Sequence, residues 1–158
     1  MRTLWRFTAL AALCGACTRG VEPDVARPSP RVIAPQLVVT DSVNGTVTMM
    51  LRLEGLSPTL GKVGSFTARV TYDPASLEFV GEEPLTDGVL RALNPTPGLV
   101  RVAGAGVHGI SETGLVALRF RVKARDGAAT ARATLDELHA LSRTDLSDRV
   151  RPDGRTLP

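Results

Sequence analysis

The stretch Gly64-Ser65-Phe66-Thr67-Ala68-Arg69-Val70-Thr71-Tyr72-Asp73-Pro74-Ala75-Ser76-Leu77-Glu78-Phe79-Val80-Gly81-Glu82 decides how the rest of the chain is read. From Phe66 to Tyr72 the apolar side chains Phe66, Ala68, Val70 and Tyr72 take every second place, with Thr67, Arg69 and Thr71 between them. A period of two puts successive side chains on opposite faces of a strand, so this one has a core face and a wet face. Asp73-Pro74 ends it, because proline gives no N–H to a ladder and presets the backbone of a turn, while aspartate bonds the backbone just beyond itself. Leu77 and Phe79 then alternate with Glu78 and Val80. The two strands are expected to form an antiparallel corner of an all-β domain.

The same period runs outward in both directions. Upstream, a short run Leu37-Val38-Val39 leads to a turn cluster ending in Asn44-Gly45, a pair favoured in tight hairpins. The strand after it places Val47, Met49, Leu51 and Leu53 on one face and Thr46, Thr48, Arg52 and Glu54 on the other, with Met50 the misfit. Residues 55–61, with Pro58, read as a loop. Downstream, residues 89–93 read as a strand, Asn94-Pro95-Thr96-Pro97-Gly98 as a breaker, and residues 99–103 as a strand with Val100 and Val102 opposite Arg101.

Gly104, Gly106 and Gly109 then predict a pliable loop. Residues 114–124 place Val116, Leu118, Phe120 and Val122 inward and Arg119, Arg121 and Lys123 outward. Asp126-Gly127 turns the chain, and Ala131, Ala133 and Leu135 alternate with Thr130, Arg132 and Thr134. Residues 135–141 read as one helical turn, and a last short strand in the polar tail is poorly signalled. Seven or eight short strands separated by turns, with no amphipathic helix, describe a sandwich or jelly roll.

The N-terminus has a different character. Arg2 and Arg6 precede the apolar run 7–13, which leads into Cys14-Gly15-Ala16-Cys17. A basic start, a short apolar core and small residues before a cut site make an export signal, well short of the roughly 20 apolar residues of a membrane span. Gly15-Ala16-Cys17 resembles the lipobox of bacterial lipoproteins, whose cysteine is lipidated, although Cys14 stands where that motif usually has leucine. The expected organisation is a signal peptide over 1–16, a Pro-rich tether over 17–35 and one β domain over 36–158. The protein is expected in the bacterial cell envelope, anchored by lipid at Cys17. Removing residues 1–16 takes away Arg2 and Arg6, so the formal charge falls from +3 to +1 and the high pI no longer argues for nucleic acid. Only Cys17 then remains, which excludes an intramolecular disulfide and a thiolate metal cluster.

Taken in order, the segments from Val47 to Leu138 resemble the cohesin family. The resemblance rests on the Thr46-Val47-Thr48 strand, Tyr72-Asp73-Pro74, Leu77-Glu78-Phe79-Val80-Gly81, Gly98-Leu99-Val100-Arg101-Val102, and Gly114-Leu115-Val116-Ala117 running into Leu118-Arg119-Phe120-Arg121-Val122-Lys123. It implies an all-β, cohesin-like jelly-roll β-sandwich of about eight or nine strands, with no catalytic residues and no cofactor of its own. It also implies docking of a dockerin-type protein through one flat sheet face, with calcium held in the partner's loops. On this chain that face would be formed by the strands around residues 65–71, 99–103 and 115–123. Its outward residues are Thr67, Arg69, Thr71, Arg101, Arg119, Arg121 and Lys123, whose guanidinium groups fit the carboxylates of an acidic partner.

Rival readings rest on less. Ser111 beside His108 lies in no strand-to-helix elbow of the hydrolase kind. Asp136, Glu137 and His139 have ligand chemistry, but adjacent acids on a strand diverge. A carbohydrate-binding module needs exposed aromatic platforms, and alternation turns Phe66, Tyr72 and Phe120 inward. A structural adaptor in an envelope assembly would use an open sheet edge.

Overall fold

In the computed structural model, residues 32–111, 113–123 and 130–151 and the backbone of 155–156 are described. The export signal, Cys17, the tether up to residue 31 and the Asp126-Gly127 turn lie outside them. The strands are β1 (Ala34–Val43), β2 (Thr46–Glu54), β3 (Val63–Tyr72), β4 (Leu77–Glu83), β5 (Leu90–Thr96), β6 (Leu99–Ile110), β7 (Val116–Val122), β8 (Ala131–Ala140) and β9 (Arg155–Thr156). Two sheets face each other, one in the order β4-β7-β2-β1-β9 and one in the order β5-β6-β3-β8. This is the jelly-roll sandwich that the alternation predicts.

The core is where the period of two puts it. Val47, Met49, Leu51 and Leu53 from β2, Phe66, Ala68 and Val70 from β3, and Val116, Leu118 and Phe120 from β7 are all buried. Tyr72 and Phe79 pack edge-on against Phe120, with ring centroids 5.2 and 5.7 Å away. Since Tyr72 comes from one sheet and Phe120 from the other, this trio spans the sandwich. Asn44 and Gly45 join β1 to β2 with φ of 51° and 75°, the doubly positive conformation that a two-residue hairpin turn requires.

Five local expectations are corrected, each for a tertiary reason. Strands β3 and β4 are not ladder partners, because Asp73-Pro74 carries the chain from one sheet to the other. The Asp73 carboxylate holds that crossing by accepting from the Ala75 N–H and the Ser76 hydroxyl. The hydroxyl bond comes first among the causes that keep its pKa below the ordinary aspartate range.

Strand β5 runs on through Pro95, which an edge strand accommodates because one side of it gives no hydrogen bonds. Strand β6 continues through Gly104, Gly106 and Gly109 to Ile110. Gly104 is opposite Phe66 on β3, and an added Cβ would lie 2.3 Å from that ring's Cε1. The glycine is there because the ring lies over it. Residues 135–140 are strand and form no helical turn. The domain also begins earlier than residue 36, since Ile33 is fully buried and bonds through its backbone to Arg149 and Arg151.

Candidate functional site

The candidate site is the outer face of the β5-β6-β3-β8 sheet, which carries Thr67, Arg69, Thr71 and Arg101. Its register sets four cross-strand rows. The first is Leu90, Ala105, Ser65, His139, and the second is Ala92, Ala103, Thr67, Glu137. The third is Asn94, Arg101, Arg69, Thr134, and the fourth is Thr96, Leu99, Thr71, Arg132. With strands about 4.8 Å apart, each row is on the order of 15 Å long, and rows two residues apart are separated by roughly 7 Å.

The second row is low. Ala92, Ala103 and Thr67 continue into the equally small Ala105 and Ser65 of the first row, whose ends carry Leu90 and His139, and are walled on the other side by Asn94, Arg101 and Arg69. Two shallow depressions, of about 380 and 290 Å³, both include Thr67, Ala92 and Ala103 in their lining. The result is a trough across the strands. Leu90, 80% exposed, stands at its β5 corner.

The bulge in β8 determines the charge pattern. Glu137 is opposite Thr67 and Leu135 opposite Ala68, so Asp136 is the extra residue. A bulge breaks the alternation, and Asp136 and Glu137 are both exposed on the outer face. The expectation that adjacent acids diverge fails here for that reason. Even so, among the described residues no group of three His, Cys, Asp or Glu is placed to hold a metal. Asp136 reaches across to Arg69, whose Nε donates to both carboxylate oxygens at 2.9 Å.

Arg91 holds the edge of this face from beneath. Its side chain is only 4% exposed, and its Nε donates to the Leu115 carbonyl at 2.6 Å. Its terminal nitrogens bond the Asp87 carboxylate and keep that group's pKa low. Since Leu115 leads into β7, one guanidinium ties the edge strand β5 to the opposite sheet.

The cations expected to share a face are divided between two. Thr67, Arg69, Thr71 and Arg101 are on the trough face. Arg119 and Arg121 are on β7 and Lys123 just beyond it, which belongs to the other sheet. Alternation along a strand tells inside from outside but does not say which sheet the strand joins; β7 pairs with β2 and β4, so its outer side looks the opposite way. These three also have local partners. Arg119 is 3.6 Å from Glu83, Arg121 donates to Glu78 at 3.1 Å and Lys123 to the Pro74 carbonyl at 2.8 Å.

The sequence reading left Leu90, Ala92 and Asn94 out of the face and weighed Asp136 only as a metal ligand, because membership of the trough depends on the register of β5 and on the bulge. Among the described residues, the Phe and Tyr rings are in the core or packed against it, and none stands on the trough face.

The cohesin domain family model matches residues 37–150. No curated protein matches the chain. Among solved structures, the sixth cohesin of Acetivibrio cellulolyticus scaffoldin B, in complex with a mutant Cel5 dockerin, is 17% identical with a TM-score of 0.57, covering 79% of this chain and 97% of that one. The cohesin CaCohA2 of Clostridium acetobutylicum is 19% identical with a TM-score of 0.57, over 80% and 90% of the two chains. A non-cellulosomal cohesin from the archaeon Archaeoglobus fulgidus is 18% identical with a TM-score of 0.56, over 80% and 92%.

Proposed function

The chain belongs to the cohesin domain family, a family of non-catalytic binding modules, and on that premise we propose that it docks a dockerin-type protein in the trough of the β5-β6-β3-β8 sheet. The observation that supports this reading is the patch of small residues Ala92, Ala103, Thr67, Ala105 and Ser65, bordered by Leu90, His139, Arg101 and Arg69 and open to solvent. A surface of that shape accepts a convex element of another protein. Among the described residues glycan binding has no Phe or Tyr ring to stack on, since Phe66 and Phe120 are buried and Tyr72 and Phe79 pack against the core.

The test is a pull-down from envelope and secreted fractions with the full chain, with and without a calcium chelator. The expected catch is a dockerin-bearing protein that is lost on chelation, because the calcium loops belong to the partner. Thr67→Arg puts a long side chain into the trough and is expected to weaken capture more than tenfold. Glu54→Arg, on the opposite sheet, is expected to leave it unchanged. Capture that ignores Thr67→Arg, or recovery of glycan alone, overturns the assignment.

The proposal extends to location. Export by residues 1–16, lipidation of Cys17 and a tether up to the first strand would hold the trough away from a membrane, in an envelope assembly of the kind used in polysaccharide breakdown. The Cys17→Ser chain is then expected to leave the membrane fraction for the soluble one. Its retention with membranes would rule out the lipid anchor.

A further inference from the structure

Arg69 and Arg101 are directly opposite each other on β3 and β6. Like charges at opposed positions of a ladder repel and cost stability. The fold answers only one of them. Arg69 is held by Asp136, with its Nη2 2.6 Å from Oδ1 in addition to the Nε bonds. The Arg101 side chain makes no hydrogen bond or ion pair among the described residues, and its neighbour on β5 is the neutral Asn94. It borders the 290 Å³ depression, whose rim also includes Thr67, Asn94 and the Asp136 carboxylate already paired with Arg69.

We infer that Arg101 is a carboxylate-receiving subsite, so that the partner presents an aspartate or glutamate side chain to it. This rests on the docking reading of the trough and makes it more specific. Of the seven hydroxyl and cationic groups that the sequence singles out, this one has the charge, the accessibility and the uncompensated repulsion that a single anion relieves. A guanidinium pairs with a carboxylate through two parallel N–H···O bonds, fixing orientation as well as adding attraction. The acid would also screen Arg101 from Arg69. A polyanion is disfavoured on the same face, because Asp136 and Glu137 lie along its β8 side. The exposed Leu90 at the β5 corner makes the trough unsymmetrical, so one anchored carboxylate selects one direction of docking.

The experiment can be run without the natural partner. A calcium-loaded dockerin module, randomised over its exposed helix positions, is displayed and selected against the full chain, and in parallel against its Arg101→Glu and Thr67→Arg variants. The expected result is that clones lost on Thr67→Arg share an Asp or Glu at one position. Their affinity is expected to fall at least tenfold on Arg101→Glu, and selection against Arg101→Glu is expected to return Lys or Arg at that same position. Thr67-dependent clones with no acidic preference and no response at Arg101 overturn the subsite and leave the docking face standing. Clones indifferent to Thr67→Arg, or no enrichment at all, overturn the docking reading and the subsite with it.

Discussion

Phe120→Ala is expected to lower the unfolding free energy by about 4 kcal/mol, the usual range for deleting a buried aromatic ring being roughly 3–5 kcal/mol. The ring is fully buried in β7 and makes edge-on contacts with Tyr72 and Phe79, so truncation leaves both neighbours without their partner. Such pairs contribute about 0.5–1.5 kcal/mol beyond the area they bury. A domain of this size has only about 5–15 kcal/mol in total, and the variant should therefore unfold at a much lower urea midpoint. Phe120→Leu keeps most of the volume and should lose less than half as much. An alanine variant within about 1 kcal/mol of the native chain would show that the two sheets close over the gap, contrary to the spanning role given to this trio.

Gly104→Ala is expected to cost about 2–3 kcal/mol, at the upper end of what one added methyl does in a packed interior. The backbone at Gly104 is not in the left-handed region, so the cost is steric: the new Cβ would sit 2.3 Å from Cε1 and 2.8 Å from Cζ of Phe66. Phe66 is 2% exposed and packed into the core cluster. The check is a double-mutant cycle with Phe66→Leu, which removes the ring atoms in conflict. The two changes are expected to be strongly non-additive, the double variant being more stable than the sum of the single losses implies. Simple additivity would mean that the strand gives way elsewhere. Because Thr67 and Ala103 are the next residues along β3 and β6, any movement of this pair also reaches the trough.

Much of this architecture can be read in the residues. Alternation identified the inward sets of β2, β3, β6 and β7 correctly, since water on one side and core on the other act on each strand separately. Asn44-Gly45 and Asp73-Pro74 marked turns for equally local reasons. What could not be read is relational. Gly104 looks like a loop residue until the ring of Phe66, 38 positions earlier, is placed over it. Pro95 looks like a breaker until β5 is known to be an edge strand. Arg101 and Arg119 look equivalent until β7 is found in the other sheet. The trough consists largely of alanines, whose single methyl group carries no chemical signal, and its charge pattern depends on one extra residue in β8.

The attachment of the first strand has a mechanical consequence. Chain enters at Ile33, and β1 then runs antiparallel to β2 along its whole length, while any load borne by the trough face arrives through the opposite sheet. A pull on Ile33 directed along β1 shears its ladder to β2, with the bonds loaded together. The bonds cannot be peeled one after another from an end. A module built this way can be tugged from its N-terminal side and keep its grip geometry up to the force at which the whole ladder gives way.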